Sequence, residues 1–124
     1  MSPRRQDLLP YNLPLIEEEE IQAVVDCLKS NWVTKGPKTV EFEKRFAEYV
    51  GAKHAIAVNS CTAGLHIALV GAGIGEGEEV LTTPMTFTST ANVIIHCGAT
   101  PVFVDIDPKT MNIDHTKIEE KITS

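Results

Sequence analysis

Apolar residues recur at helical spacing through the first fifty residues. Between residues 17 and 30 they stand three and four positions apart behind an acidic first turn, which predicts an amphipathic helix. A second helix is predicted over residues 39–50, where Gly51 supplies a left-handed stop. Residues 31–38 are predicted to form a loop, because the Gly-Pro pair within them cannot continue regular structure. Residues 1–16, with three prolines, are predicted to be irregular.

The second half of the chain alternates short apolar runs with helical stretches. Strands are predicted over residues 54–59, 79–83 and 101–106, and helices over residues 62–72 and 86–97 and after Asp114. The helix over 62–72 is apolar nearly all round, which predicts burial on two sides. The glycine-rich residues 71–77 follow a helix and precede a strand. This order is wrong for a dinucleotide-binding fingerprint and predicts a return loop.

Strand and helix alternate at the spacing of βαβ units. The predicted fold class is therefore α/β, with a mainly parallel sheet covered by helices on both faces. We expect residues 1–52 to form a separate amino-terminal helical arm and residues 53–124 to form the first part of the α/β domain. Because another α/β unit is expected to follow, we interpret the chain as part of a larger fold.

Composition narrows the possible functions. The 124 residues carry a formal charge of −6, which disfavours nucleic-acid binding, and no segment resembles a membrane span. Three widely spaced cysteines disfavour a disulfide framework, so we expect reduced, buried thiols in a cytoplasmic protein. No metal site is predicted, because the cysteines and histidines lack ligand spacing. His66 and His96 are interpreted as structural, and Asp105 and Asp107 as turn formers.

The turn between the first predicted strand and its helix is the first candidate for chemistry. Residues 59–64 are small or hydroxylated and lead directly into a helix. A helix start offers unpaired N–H groups and a positive dipole end, which together favour a phosphate. The alternative is that Ser60 or Thr62 merely caps the helix. Both interpretations stay open at this point, since they compete for the same N–H groups.

A second candidate is the threonine-rich segment over residues 83–90, which follows the second predicted strand. Ligands of open α/β sheets bind beyond the carboxyl ends of the strands. Phe87 in this segment is suited to stacking on a planar ring, with hydroxyls beside it for polar edges. Packing of Phe87 in the core beneath the segment is an equally weighted alternative.

Six segments in register then carry a family resemblance. The chain resembles the DegT/DnrJ/StrS family of pyridoxal-phosphate-dependent sugar aminotransferases, a branch of the fold-type-I aspartate aminotransferase superfamily. Each segment alone is weak, but their common order is specific and extends from Pro10 to the end of the chain. The segments are residues 19–28, residues 31–37 with Phe42 and Glu43 soon after, residues 57–69, residues 77–92, residues 101–107 and residues 111–114.

The resemblance implies roles for particular positions. Cys61, Thr62 and Ala63 match the turn that holds the phosphate of pyridoxal phosphate, although many relatives carry glycine at the cysteine position. Phe87 matches the aromatic residue that stacks on the pyridine ring. Thr34 and Lys35 lie in a segment that the resemblance places near the active-site entrance and dimer interface, where they would face a nucleotide-linked keto-sugar. The resemblance also implies a homodimer and an amino-acid donor, with glutamate expected.

The resemblance also implies that catalytic residues lie outside this chain. The family's lysine that bonds to the cofactor, and the aspartate that pairs with the pyridine nitrogen, would follow residue 124, so we expect no catalytic residue here and no turnover by the isolated chain. Two alternatives remain: a dehydratase of the same fold, in which histidine replaces that lysine, and a non-catalytic binding or assembly fragment.

Overall fold

The structure is a computed structural model that describes residues 7–123. By its internal contacts the chain divides into two compact units, one up to Ala57 and one from Val58 onward. Each unit is described separately. No helix within the described residues is long and apolar enough to cross a membrane.

The first unit contains two helices, and both confirm the predicted helical periodicity. Helix α1 spans Glu18–Lys29, and the Glu17 N–H at its start donates to the Glu20 carboxylate over 2.7 Å. Helix α2 spans Pro37–Val50 and ends at Gly51, whose φ of 69° is the predicted left-handed stop. Residues 7–17 form no helix or strand, as predicted, and residues 1–6 lie outside the described part.

The start of helix α2 lies inside the loop that was predicted over residues 31–38. It begins at Pro37, two residues earlier than predicted, because a proline at the first helical position loses no intrahelical hydrogen bond and already has helical φ. The Gly-Pro pair therefore starts a helix here. Gly36 is the residue that precedes the helix in an extended conformation.

The second unit contains a two-stranded parallel sheet with helices. Strand β1, Glu79–Thr82, pairs with strand β2, Thr100–Phe103, in a register that aligns their first residues. Helix α4, Ser89–His96, connects the two strands and packs against both, and helix α3, Cys61–Gly71, packs on α4. Gly98 has a φ of 83° and ends the α4 region as predicted. The predicted β-α-β unit with parallel strands is confirmed.

Only part of the predicted strand set forms among the described residues. Residues 54–59 form no strand, and the sheet of the described residues contains β1 and β2 alone. A strand forms only where a neighbouring strand supplies the ladder hydrogen bonds. Strand β2 ends at Phe103, and beyond it Ile106 makes a single antiparallel bridge to Ile113. Helix α4 begins three residues later than predicted.

The predicted last helix is wrong in type. Two short 3-10 turns, His115–Lys117 and Glu119–Lys121, replace it. The predicted cap is nevertheless correct, since the Asp114 carboxylate accepts from the Thr116 N–H over 3.0 Å. Local capping is thus specified by sequence, whereas continuation into an α-helix requires packing that the described residues do not provide.

The core of the second unit is small. It comprises Val93 and Ile94 of α4, Ala99 just before β2 and Val104 just after it. Helix α3 has no buried residue, so the prediction that it is buried on two sides is wrong for this chain. No thiol is buried either: Cys61 is exposed, whereas Cys27 and Cys97 are half-buried, and all three are unbridged.

Candidate functional site

Helix α3 begins with a serine cap. Ser60 is extended, with φ −159° and ψ 156°, and its hydroxyl oxygen accepts from the Ala63 N–H over 3.1 Å. The Ser60 carbonyl accepts from the Gly64 N–H at 3.1 Å, which closes the first turn. For the Ala63 N–H, the structure therefore supports the interpretation that Ser60 caps the helix. An anion that also bound this N–H would have to displace the serine hydroxyl.

The two preceding amides of α3 differ from the third. The N–H groups of Cys61 and Thr62 have no hydrogen-bond acceptor among residues 7–123, and both side chains are exposed. They lie at the positive end of an 11-residue helix with no acidic residue in its first turn. Two amides and a neighbouring threonine hydroxyl are thus directed to solvent where an anion is favoured.

Phe87 lies in the connection between β1 and α4. Its side chain is 79% exposed, so it does not pack in the core of this chain. The hydroxyls of Thr86 and Thr90, which flank it in sequence, lie 3.0 Å apart, and Thr86 is exposed whereas Thr90 is half-buried. An exposed ring after the carboxyl end of a parallel strand is available to stack on a planar ligand.

The 32–36 loop of the first unit contains Thr34 and Lys35. Thr34 lines a cleft of about 260 Å³ between the end of α1 and the start of α2, together with Trp32 and Cys27. Lys35 is exposed, and its ammonium nitrogen lies 2.9 Å from the Glu43 carboxylate. The structure thus gives the two residues different surroundings, an apolar cleft for the threonine and an ion pair for the lysine.

Glu43 is a residue of this region that the sequence analysis did not assign to the site. One of its oxygens, Oε1, accepts from the Lys35 ammonium over 2.9 Å and from the Ala57 N–H over 3.0 Å. The hydrogen bond from the Ala57 amide, followed by that from Lys35, holds the pKa of Glu43 below its ordinary value. Lys35 and Ala57 lie eight and fourteen residues away in sequence, so no local pattern indicates the contact.

The remaining polar candidates form simple local structures. Asp107 confirms its predicted turn role, because its carboxylate accepts from the Lys109 N–H over 2.9 Å and from the Thr110 hydroxyl. His66 and His96 lie with ring centroids 6.1 Å apart, the first half-buried and the second exposed. Within residues 7–123 no group of three or more potential metal ligands converges.

Known proteins match this chain over nearly its whole length. The profile of the DegT/DnrJ/EryC1/StrS aminotransferase family matches residues 14–124. The chain is 61% identical over 123 residues to the spore coat polysaccharide biosynthesis protein SpsC of Bacillus subtilis, an alignment that covers 99% of this chain and 32% of SpsC. This chain thus spans about a third of the length of that relative.

Solved structures agree with the sequence match. Spr1654 from Streptococcus pneumoniae, assigned as a sugar aminotransferase and solved in its PLP-form, superimposes with a TM-score of 0.87 and 43% identity over 93% of this chain and 29% of its own. NtdA from Bacillus subtilis with bound cofactor PMP gives a TM-score of 0.82 and 34% identity over 97% of this chain and 29% of its own. The predicted fold-type-I α/β class and the predicted family resemblance are both confirmed. The chain belongs to the DegT/DnrJ/EryC1/StrS aminotransferase family and represents about a third of the length of its relatives.

Proposed function

We propose that the complete protein containing this chain is a pyridoxal-phosphate-dependent aminotransferase. It transfers an amino group from an amino acid, with glutamate as the expected donor, to a nucleotide-linked keto-sugar used in cell-envelope polysaccharide synthesis. The family membership supports the reaction class, and the 61% identity to a polysaccharide biosynthesis protein supports the type of product. The solved relatives in PLP and PMP forms support the cofactor.

The observation that carries this proposal is the start of α3. The unpaired amides of Cys61 and Thr62 and the exposed Thr62 hydroxyl fit a dianionic phosphate ester. Ala63 would contribute its amide only if the ester displaced the Ser60 hydroxyl. When bound, pyridoxal phosphate supplies the electron sink for amino-group transfer. Phe87, with its exposed ring, would stack on the planar part of the cofactor and limit its rotation.

Substrate binding is proposed for the 32–36 loop. Thr34 offers a hydroxyl in an apolar cleft, which suits a sugar or base, and Lys35 offers a cation for a diphosphate. We further propose that the complete protein is a homodimer and that residues 1–52 form an arm distinct from the cofactor-binding part. The isolated 124-residue chain would lack turnover, because no lysine in it matches the context of the cofactor-bonding lysine.

Absorption spectroscopy of the full-length gene product tests this function. Pyridoxal phosphate should produce a band near the visible range that glutamate abolishes and a nucleotide-linked keto-sugar restores, with amino sugar formed in equal amount. Absence of the band would overturn the cofactor assignment. Loss of a sugar hydroxyl without amino-acid consumption would instead identify the dehydratase, and cofactor binding without either reaction would identify a non-catalytic protein.

The role of Thr62 is tested by removing its hydroxyl alone. Thr62→Val keeps the side-chain shape and should weaken pyridoxal phosphate binding about tenfold or more, because a hydrogen bond to a charged group contributes about 1.5–3 kcal/mol. Thr62→Ser keeps the hydroxyl and should bind within about threefold of the wild type, a difference below 1 kcal/mol. Equal affinity of the valine variant and the wild type would remove Thr62 from the phosphate site.

A further inference from the structure

Glu43 joins two segments of the first unit through a single carboxylate oxygen. Its Oε1 accepts from the Lys35 ammonium in the 32–36 loop and from the Ala57 N–H, at 2.9 and 3.0 Å. The Glu43 side chain is only 15% exposed, whereas the Lys35 side chain is 63% exposed. The carboxylate is thus the fixed, covered partner of the pair, and the lysine extends from it toward solvent.

Apart from the Gly36 carbonyl, which accepts from the Thr39 and Val40 N–H groups, the 32–36 loop has few other restraints among the described residues. The Trp32 N–H makes a long hydrogen bond of 3.3 Å to the Ser30 hydroxyl, and the Trp32 ring packs over Gly36. Neither contact restrains the Lys35 side chain, which has four rotatable carbon–carbon bonds and a large rotamer entropy. The Glu43 carboxylate therefore supplies the restraint on where the ammonium lies.

The ion pair leaves Lys35 able to bind an anion. An ammonium group has three N–H donors, and Glu43 accepts one of them. Two donors remain for phosphate oxygens on the exposed side. A lysine held in this way loses less rotamer entropy on binding than an unrestrained lysine, which increases affinity without a new contact.

We propose that Glu43 is a positioning residue that holds Lys35 and the 32–36 loop ready for the diphosphate of a nucleotide-linked sugar. This inference rests on the proposed role of that loop in substrate binding. Glu43 acts through Lys35 and touches neither substrate nor cofactor. Its removal should therefore change substrate affinity and leave the chemical step unaltered.

Matched variants in the full-length gene product test the proposal. Glu43→Gln keeps an oxygen for the Ala57 N–H and loses the charge that holds Lys35. Glu41→Gln is the control, since Glu41 lies on the same helix and also forms a 2.9 Å ion pair, but with Arg45 and not with Lys35. Lys35→Met removes the same ion pair by changing its exposed partner. The contact can therefore still be tested if Glu43→Gln does not fold.

Two measurements are required. Hydrogen exchange of a peptide covering residues 31–36 should accelerate several-fold in Glu43→Gln and Lys35→Met and remain unchanged in Glu41→Gln. The KM for the nucleotide-linked keto-sugar should rise about three- to tenfold in Glu43→Gln, equivalent to roughly 1 kcal/mol of lost binding, with kcat within about twofold. Once Lys35 is methionine, adding Glu43→Gln should raise KM no further.

Contrary results separate the two proposals. Unchanged loop exchange in Glu43→Gln, or a fall in kcat with unchanged KM, would overturn the positioning role while leaving the proposed function intact. An additive rise in KM in the double variant would show that Glu43 does not act through Lys35. If the wild type aminates no nucleotide-linked sugar, the proposed function fails, and the substrate part of the inference fails with it. The hydrogen exchange of the loop would still show whether Glu43 holds Lys35.

Discussion

The Trp32 side chain packs against Gly36 in the 32–36 loop. A Cβ added to Gly36 would lie 3.1 Å from the Trp32 Cβ and 3.2 Å from its Cε3. The indole would have to move by a few tenths of an ångström, which an exposed side chain can do, so Gly36→Ala should lower the free energy of unfolding by at most about 1 kcal/mol, the low end of the range for overpacking. Urea titration of the full-length gene product measures this change.

Gly71→Ala is the matched control for this prediction. Gly71 is the last residue of α3, and nothing lies within 4 Å of an added Cβ. Alanine is a better helix former by up to about 1 kcal/mol, so this variant should be as stable as the wild type or slightly more stable. Equal destabilisation of both variants in urea titrations would contradict the packing of Trp32 on Gly36.

Glu43 should make stability depend on acid pH. The hydrogen bonds from the Ala57 amide and then from Lys35 lower the pKa of Glu43 in the folded state. The contribution of Glu43 to the free energy of unfolding is therefore present above the unfolded-state pKa of about 4.5, and it is lost as the pH falls through the folded-state pKa. Between neutral pH and the acid range below about 4.5, Glu43→Gln should therefore lose less free energy of unfolding than the wild type. Urea titrations of the wild type and of Glu43→Gln at several pH values measure this.

At the scale of elements, the start of α3 combines a serine cap with the proposed phosphate site. Ser60→Ala removes the acceptor for the Ala63 N–H and should lower the free energy of unfolding by about 1 kcal/mol. Ser60→Asp keeps a good cap and should retain stability, but its carboxylate would repel a phosphate and weaken pyridoxal phosphate binding. Thermal unfolding and cofactor titration of both variants separate the two roles. Full cofactor affinity in Ser60→Asp would mean that no phosphate binds here.

The ends of several elements are predictable from the sequence. The ends at Gly51 and Gly98 and the Asp114 cap were identified from sequence, because a left-handed residue or a short acceptor acts within a few positions of the chain. The Pro37 start of α2 was misjudged, since the same proline that breaks a helix interior is favourable at its first position.

At the scale of the whole molecule, few apolar side chains are covered within either unit. Ala47 is the one buried apolar residue in the described part of the first unit, and Val93, Ile94, Ala99 and Val104 are those of the second. Many larger apolar residues are exposed: Leu8, Leu9, Leu13, Leu15, Val24, Leu28, Phe42, Ile56, Ile67, Val70 and Ile95 are examples. Apolar surface on this scale favours association with another polypeptide.

The isolated 124-residue chain should therefore self-associate. Sedimentation should show species well above 13.6 kDa, and dilution or mild denaturant should shift the distribution toward smaller species. Supplying the rest of the proposed complete protein as a separate chain should suppress the self-association by covering the same surfaces. A stable monomer with cooperative unfolding would contradict this expectation.

The sequence by itself determined the family, the helices α1 to α4, the parallel β-α-β unit and the caps, since each depends on local periodicity, short-range hydrogen bonds or an ordered set of motifs. Tertiary structure decided whether residues 54–59 form a strand, whether α3 is buried, and that Glu43 meets Lys35 and Ala57. These properties depend on partners distant in sequence. A ladder hydrogen bond, a buried face or a shared carboxylate exists only when the fold brings two separate segments together.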